Sequence, residues 1–268
     1  MEMTSLQGPP LAAGRTAEIY PWGEKQVVKL FRPGMAPGMA EKEAATGRIV
    51  AEAGVGAPSV GEVVTIDGRP GIVYARIDGE SMLHRLQRQP WTVWSQARTL
   101  GQLHARMHGV ARPQLPAMRD YLQRDIGRAQ ELTAELRVAV LARLQALPDA
   151  DAICHGDFHP DNVQLTRDGP VILDWMTAGH GNPDADVART VLMLRQGQPM
   201  GASALQLKII ELLRQQLLSG YLRAYRGVRA CPDSAIDSWV PVIAAARLSE
   251  GIETEREQLL ALAARAVG

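Results

Sequence analysis

The sequence predicts an α/β protein, with its strands concentrated near the N-terminus and helices over most of the remainder. Short β-prone runs separated by turn residues recur from about residue 11 to residue 77. Apolar residues at helical spacing recur from Trp91 onwards. One further β-hairpin is predicted at residues 163–174. The chain has 268 residues, 46% of them hydrophobic, which is enough for one large domain or for two lobes.

The N-terminal part predicts a small sheet followed by a helix and a hairpin. Residues 11–20 are expected to form a strand, a loop and a second strand. Further strands are expected at 26–31, 60–66 and 71–77, with an Asp-Gly turn at 67–68. A helix is expected from about residue 37 to residue 53. Lys29 lies between apolar neighbours in its strand, and Glu41 and Glu43 both lie on this helix. Helical spacing alone leaves open which glutamate faces Lys29.

The later part of the chain predicts mainly helices. A long helix is expected from Trp91 to His108, with His104 on its apolar face as a buried, hydrogen-bonded core residue. One or two helices are expected over 119–147, and more over about 190–267.

Composition excludes several classes of function. The formal net charge is zero, so there is no basic excess to bind nucleic acid. No run of about 18 apolar residues and no signal-peptide pattern is present, which predicts a cytoplasmic protein without a membrane partner. The two cysteines, Cys154 and Cys231, do not suggest a disulfide framework.

A cluster of oxygen-bearing side chains predicts a site for a magnesium-bound nucleotide. Residues 155–162 read His-Gly-Asp-Phe-His-Pro-Asp-Asn, and Asp174 follows after the predicted strands 163–166 and 171–174. The hairpin should bring Asn162 and Asp174 to the same end of two paired strands. Mg²⁺ prefers hard oxygen ligands and few carboxylates beside phosphate and water, which fits these residues and Asp157. The spacing also matches the catalytic loop and metal-binding Asp of kinases.

Three other interpretations of this stretch are weaker. Zinc binding by His155 and His159 would need a helix, which Gly156 and Pro160 disfavour. A dinuclear metallophosphoesterase would need further ligands, and only His180 follows among the histidines. A purely structural hairpin would explain one or two of the polar residues but not the set.

The motif resembles that of the aminoglycoside phosphotransferase and choline kinase family, which are small-molecule kinases with a two-lobed, protein-kinase-like fold. The resemblance rests on residues 155–162 and on Leu-Asp-Trp at 173–175, with weaker matches at 100–104 and 181–189. It spans roughly residues 11–190. It implies an N-terminal nucleotide-binding lobe at 1–76 and a C-terminal lobe at 77–268 that carries the catalytic loop and the substrate site.

The resemblance also implies roles around the loop. Asp157 would orient and deprotonate the acceptor hydroxyl, and Asn162 and Asp174 would hold Mg²⁺. His155 and Asp186 would support the loop without touching the substrate, with Asp186 at the start of a helix.

Nucleotide binding is expected from the N-terminal part. Lys29 would contact the α- and β-phosphates, positioned by Glu43, which the family's Lys-then-Glu-Ala pattern favours over Glu41. The extended segment Ala75, Arg76 and Ile77 would bond the adenine edge. The role of the loop at 12–17, in which only Gly14 is a glycine, stays open.

The implied activity is transfer of the γ-phosphate of Mg-ATP to a hydroxyl group of a small molecule, with GTP left open as the donor. Asp-Phe-Gly and Ala-Pro-Glu segments are absent after the loop, so no activation loop of a protein kinase is recognisable. An aminoglycoside is polycationic and would favour an acidic pocket, whereas residues 190–268 hold seven acidic and nine basic residues. An amino alcohol, sugar or related metabolite is therefore favoured as the acceptor. The acidic cluster at 250, 253, 255 and 257 is the local exception. The alternative function is a non-catalytic nucleotide-binding protein of the same fold.

Overall fold

The computed structural model describes residues 6, 8–36, 38–195 and 203–267. The predicted helix start at residue 37 lies outside the described residues, as do residues 196–202 of the predicted helical tail and residues 1–5 of the predicted N-terminal lobe. The chain forms two compact units. The first contains the described residues up to Glu80 together with Gln164–Met176, and the second contains Ser81–Val163 and the described residues from Thr177 onwards.

The first unit is built on an antiparallel sheet. Its strands are β1 (Ala12–Ala13), β2 (Ala17–Pro21), β3 (Gln26–Phe31), β4 (Val60–Ile66) and β5 (Arg69–Ala75), in the order β1-β2-β3-β5-β4. The turn between β4 and β5 has φ angles of 50° at Asp67 and 74° at Gly68, as an Asp-Gly hairpin turn requires. Strand β5 begins directly after this tight turn, at Arg69. The predicted strand 71–77 is therefore wrong by two residues.

Helix α1 (Met39–Glu52) packs against one face of this sheet. Phe31 and Ile72 on that face form a buried cluster with Ala40 and Ala44 of the helix. Side chains alternate along a strand, so Val28 and Leu30 pack on the opposite face. Lys29 lies two residues before Phe31 and opposite Ile72, which directs its side chain toward the helix.

A short hairpin completes the described fold of the first unit. Strand β8 (Val163–Thr166) pairs with β9 (Gly169–Ile172). Two shorter strands precede them in the chain, β6 (Glu80–Ser81) and β7 (Ala152–Cys154). The predicted second strand, 171–174, is wrong by two residues. Pro170 is tolerated because β9 is at the edge of its sheet, and the left-handed backbone of Asp174, with φ 61°, prevents continuation of the strand.

The second unit is mostly helical. Its helices are α2 (Met82–Arg88), α3 (Val93–Met107), α4 (Met118–Arg128), α5 (Ala134–Ala146), α6 (Pro183–Arg195), α7 (Ala204–Arg226), α8 (Asp233–Arg247) and α9 (Arg256–Ala264). Two short strands, β7 (Ala152–Cys154) and β10 (Gly179–Gly181), pair antiparallel. The predicted helix start at Trp91 is corrected to Val93, because residues 90–92 form a 3₁₀ turn.

Helices α3 and α7 approach each other closely at a glycine. A Cβ atom at Gly101 would overlap the backbone carbonyl oxygen of Tyr221, so a larger residue could not be placed there without displacing α7. This approach brings His104 and His108 within hydrogen-bonding distance of Tyr221 and Tyr225. Among the described residues, no helix has both the length and the apolar character needed to cross a membrane.

Candidate functional site

The first unit contains a buried charge cluster around Lys29. The Lys29 ammonium nitrogen lies 2.8 Å from Glu43 Oε1 and 2.9 Å from Asp174 Oδ1. Burial alone would lower the pKa of Lys29, but the two carboxylates outweigh it and hold the pKa above its ordinary value. The structure thus pairs Lys29 with Glu43, whereas Glu41 lies exposed on α1.

Tyr74 completes this group, which we call the Lys29 cluster (Lys29, Glu43, Tyr74 and Asp174). The Tyr74 hydroxyl donates a 3.0 Å hydrogen bond to Glu43 Oε1. Burial and the adjacent carboxylate raise the pKa of Tyr74, so the hydroxyl stays a donor. Two donors therefore fix Glu43 Oε1, while Glu43 Oε2 is buried without a hydrogen-bond partner among the described residues.

Asp174 has an unusual backbone conformation and a partly exposed carboxylate. Its backbone is left-handed, with φ 61°, which is uncommon for a residue other than glycine and tends to occur at functional sites. Its side chain is 43% exposed, although Oδ1 accepts from buried Lys29. Oδ2 is therefore available to a further ligand.

The predicted hinge has one backbone donor left for a ligand. The amide of Ala75 donates to the carbonyl of Ser59 at 3.0 Å, and that of Arg76 donates to the carbonyl of Lys25 at 2.9 Å. In the described structure, Ile77 is the hinge residue whose amide makes no backbone hydrogen bond.

In the second unit, the backbone of the loop 155–162 is constrained at Gly156 and Pro160. Gly156 has φ 76°, and a Cβ there would lie 2.7 Å from the carbonyl oxygen of Thr177, so both conformation and space require glycine. His159 is extended, and Pro160 begins a one-turn 3₁₀ helix that ends at Asn162. This confirms that the histidines of the loop do not share a helix face.

Asn162 is held by the residue predicted to be catalytic. Its Nδ2 donates to the backbone oxygen of Asp157 at 2.9 Å. A carbonyl oxygen only accepts, so this bond establishes which amide atom is nitrogen. The Asn162 amide oxygen is consequently free to face a ligand, and one loop positions both residues.

The Asp157 carboxylate lies between two cationic or donor side chains. His159 Nε2 is 3.4 Å from Oδ2, and Arg189 Nη2 is 3.4 Å from Oδ1. Burial would raise the pKa of Asp157, but the His159 hydrogen bond and the Arg189 charge outweigh it and hold the pKa well below its ordinary value. Asp157 is therefore ionised at neutral pH and can accept a hydrogen bond from a hydroxyl group.

Asp186 anchors this loop from helix α6. Its Oδ2 accepts from the His155 amide at 2.6 Å and its Oδ1 from the Gly156 amide at 2.9 Å. The same Oδ2 lies 3.1 Å from His104 Nε2 and 3.2 Å from His108 Nε2. Burial would raise the pKa of Asp186, but these donors outweigh it and hold the pKa well below its ordinary value.

The side chains of His104, His108 and Asp186 resemble a metal-ligand set, since their ligand atoms lie within 4.8 Å of one another. Their hydrogen bonds argue against a metal. Each Nε2 must carry hydrogen to donate to the ionised carboxylate, and each Nδ1 then accepts from the hydroxyl of Tyr221 or Tyr225, both at 2.7 Å. This fully bonded network supports the loop.

The network predicts loss of stability in acid. Burial and nearby His108 lower the pKa of His104 from 6.5 to about 3. At a pH between these two values, His104 binds a proton in the unfolded chain but not in the folded chain. The contribution of His104 to the free energy of unfolding is therefore fully present above pH 6.5 and is lost progressively as the pH decreases. The slope from His104 is at most about 1.4 kcal/mol per pH unit. Denaturant unfolding between pH 7 and pH 4 measures it.

Two histidine variants test that prediction. His104→Gln should remove much of the slope of unfolding free energy with pH, whereas His84→Gln, at an exposed position on α2, should leave it unchanged. Equal slopes in wild type and His104→Gln would show that His104 does not control acid stability.

The structure thus groups the predicted site residues in two sets. Lys29, Glu43 and Asp174 meet in the first unit, and the loop residues meet in the second, with His155 buried and accepting from the Asp157 amide at 3.2 Å. Sequence reasoning missed Arg189 and the His108 partner of Asp186. Helical spacing could have indicated both residues. Arg189 lies one helical turn after Asp186, and His108 lies one turn after His104, so each pair shares a helix face.

Comparison with known proteins identifies the family. The sequence profile of APH, the phosphotransferase enzyme family, matches residues 10–231. No curated protein matches the sequence. Among solved structures, an aminoglycoside 3'-phosphotransferase of type VIII has a TM-score of 0.61 and 22% identity, over 90% of this chain and 90% of that chain. A choline/ethanolamine kinase family protein from Mesorhizobium loti has a TM-score of 0.56 and 20% identity, over 97% and 87%.

A third similar structure contains ligands. It is an aminoglycoside phosphotransferase from Streptomyces rimosus in complex with ADP and streptomycin, with a TM-score of 0.57 and 16% identity, over 89% of this chain and 91% of that chain. At these identities the solved structures establish the protein-kinase-like fold alone, and the family match covers far more than half of the chain. Both findings confirm the resemblance seen in the sequence. The chain therefore belongs to the phosphotransferase enzyme family and is an ATP-dependent small-molecule kinase.

Proposed function

We propose that the Lys29 cluster binds the phosphates of ATP and that Asp157 activates the hydroxyl group of a small-molecule alcohol. The observation that carries the proposal is the contact of one buried lysine with both Glu43 and Asp174. Buried ion pairs are weak contributors to stability, so a lysine held by two carboxylates is better explained by a ligand than by folding. In this proposal residues 1–76 form the nucleotide-binding lobe, to which Ile77 and Asp174 add contacts, and residues 77–268 supply catalysis and the acceptor site.

The chemical step needs one proton acceptor. The hydroxyl oxygen forms a bond to the γ-phosphorus, the bond from that phosphorus to the β–γ bridging oxygen breaks, and ADP leaves. The hydroxyl proton passes to the Asp157 carboxylate. A carboxylate of low pKa is a weak base, so most of its contribution is to orient the hydroxyl, as expected for a reaction that depends on positioning.

The donor atoms present fit a magnesium ion. Asp174 has a half-exposed carboxylate with one oxygen available, and Asn162 has an amide oxygen that makes none of that residue's hydrogen bonds in the described structure. These are the hard oxygen donors that Mg²⁺ takes beside phosphate and water. When bound, Mg²⁺ would supply charge neutralisation at the phosphates. Asn162 and Asp174 are the residues we propose to hold it.

We place the adenine edge at the hinge of Ala75, Arg76 and Ile77. Because the amides of Ala75 and Arg76 are engaged within the protein, the Ile77 amide is the donor available to a base. Backbone recognition of this kind does not by itself separate adenine from guanine, so the ATP preference rests on the family.

The acceptor is proposed to be a metabolite alcohol such as an amino alcohol or a sugar, in preference to a polycationic aminoglycoside. The acidic cluster would be the natural site for a polycation, yet it is largely neutralised within the protein. Glu250 contacts Arg189 and Arg247, and Glu255 is buried against Arg247. Only exposed carboxylates such as Glu257 remain.

A screen of ATP consumption tests the function. The purified protein would be incubated with Mg-ATP and a panel of amino alcohols, sugars and aminoglycosides, beside the Asp157→Asn variant. Turnover that depends on one alcohol and on Asp157 supports the proposal. Tight Mg-ATP binding without transfer to any alcohol would favour the non-catalytic alternative.

Asp174→Asn tests the metal assignment. Loss of the charged ligand should raise the Mg²⁺ concentration needed for half-maximal turnover by at least about tenfold, because metal affinity depends strongly on ligand charge. Magnesium titrations at saturating ATP measure this. The control is Asp168→Asn at the exposed turn of the same hairpin. An unchanged magnesium dependence in Asp174→Asn would remove Asp174 from the metal site.

A further inference from the structure

The roles proposed above leave one buried cation beside Asp157 without a function. Arg189 has a side chain that is only 15% exposed, and its Nε is buried without a hydrogen-bond partner among the described residues. Its Nη2 lies between two carboxylates, at 3.4 Å from Asp157 Oδ1 and 2.8 Å from Glu250 Oε1. A charged group is costly to bury, so this placement requires a reason.

Arg189 belongs to a single face of α6 that holds the catalytic loop. Asp186 binds the amides of His155 and Gly156, and the Thr190 hydroxyl donates to the Phe158 carbonyl at 2.9 Å. Asp186, Arg189 and Thr190 are spaced i, i+3 and i+4, which places them on one side of a helix. The outer two bind backbone on either side of residue 157, and Arg189 faces the Asp157 side chain between them.

The anchor of Arg189 is Glu250, which lies in the 3₁₀ turn that follows α8. Glu250 receives Arg189 at Oε1 and Arg247 at Oε2, the latter at 3.1 Å. Arg247 in turn binds buried Glu255 through Nε at 2.7 Å and Nη2 at 3.1 Å. This chain of alternating charges fixes the guanidinium of Arg189 independently of Asp157.

The unequal distances suggest how Arg189 acts. At 2.8 Å the contact with Glu250 is a strong charge-assisted hydrogen bond, whereas 3.4 Å to Asp157 is at the limit of one. Arg189 therefore attracts Asp157 Oδ1 but forms only a weak hydrogen bond with it. That oxygen can still accept a hydrogen bond from another donor. His159 lies beside Oδ2 on the other side.

We propose that Arg189 is a positioning residue that sets the orientation of the Asp157 carboxylate, and that Glu250 holds Arg189 in place. The inference rests on the proposed role of Asp157 as the group that receives the acceptor hydroxyl. It assigns the first carboxylate of the acidic cluster to the catalytic apparatus rather than to substrate binding.

Arg189→Met removes the charge and keeps most of the side-chain volume. With the alcohol identified by the screen, kcat should fall by about 10- to 100-fold while KM for ATP stays within about threefold, because small misplacements of a reacting group cost this much. Arg189→Lys should give an intermediate kcat, since lysine keeps the positive charge but lacks the planar guanidinium with its several N–H donors. Arg195→Met, at an exposed position on the same helix, should behave as wild type.

A double-variant cycle separates positioning from a structural role. If Arg189 acts through Asp157, then Arg189→Met should add little to the loss of kcat already caused by Asp157→Asn. Equal fractional losses in both backgrounds would overturn the proposal. Glu250→Gln should reproduce part of the Arg189→Met loss in wild type, and a wild-type kcat in Glu250→Gln would exclude it as the anchor.

Crystal structures of wild type and Arg189→Met provide a test that does not depend on turnover. The proposal expects the Asp157 carboxylate to rotate or to adopt two orientations in the variant, with the backbone of 155–158 unchanged. An unchanged Asp157 orientation would overturn it. If the wild type transfers phosphate to no alcohol, the proposed function fails, but this comparison still decides whether Arg189 orients Asp157.

Discussion

Asp157→Asn is expected to lower kcat by about 10²- to 10⁴-fold, the usual contribution of a positioned acid or base. The substitution keeps the shape of the side chain but removes the charge that can receive the hydroxyl proton. The affinity for Mg-ATP should change little, because the phosphates and the metal are assigned to other residues. The two quantities should be measured together, kcat with the identified alcohol and Kd with Mg-ATP alone.

The matched control for this variant is Asp161→Asn. Asp161 lies on the same loop, but its side chain is exposed. Its substitution should leave both kcat and Kd near the wild-type values. If Asp157→Asn lost nucleotide affinity and turnover in equal measure, Asp157 would have to be reassigned as a metal ligand or a structural group.

Asp186→Asn is expected to destabilise the protein by about 1–3 kcal/mol for each buried donor that it leaves without an acceptor. The carboxylate accepts four N–H donors, two from the loop backbone and two from His104 and His108. An amide replaces one acceptor oxygen by a donor, so at least one pair of donors would face each other. Unfolding by urea measures the loss.

Asp184→Asn controls for the helix position. Asp184 also lies in the first turn of α6, so both variants lose the same favourable interaction with the helix dipole, which is worth about 0.3–1 kcal/mol. Only Asp186→Asn should show the larger loss. Similar destabilisation in both variants would mean that Asp186 contributes through the helix terminus and that its hydrogen bonds to the loop add little.

The loop that carries Asp157 could be anticipated from local sequence. Gly156 and Pro160 are needed by the local backbone, so their spacing from Asp157 and Asn162 is visible in the chain itself. The relation of Lys29 to α1 could also be anticipated, because a strand followed by a helix brings residues 14 positions apart into reach. Choosing Glu43 over Glu41 depended on the resemblance, since helical periodicity did not separate them.

Strand boundaries were less predictable. The hairpin after the loop was expected with its second strand at 171–174, whereas it lies at Gly169–Ile172. The turn preference of Asp168 and Gly169 suggested a four-residue turn, but the sheet edge accommodates Pro170 and lets the strand begin earlier. Strand pairing in the tertiary structure therefore overrode the local turn preference.

The sequence by itself determined the fold class, the family and the oxygen-bearing groups available for phosphoryl transfer, because each depends on residues close together in the chain. The tertiary structure decided which charges meet at long range. Arg189 and Glu250 are 61 positions apart, and His104 and Tyr221 are 117 apart. No local pattern fixes such pairs, since they depend on which helix faces pack together. Packing also buried Glu255 of the acidic cluster and paired Glu250 with Arg189 and Arg247.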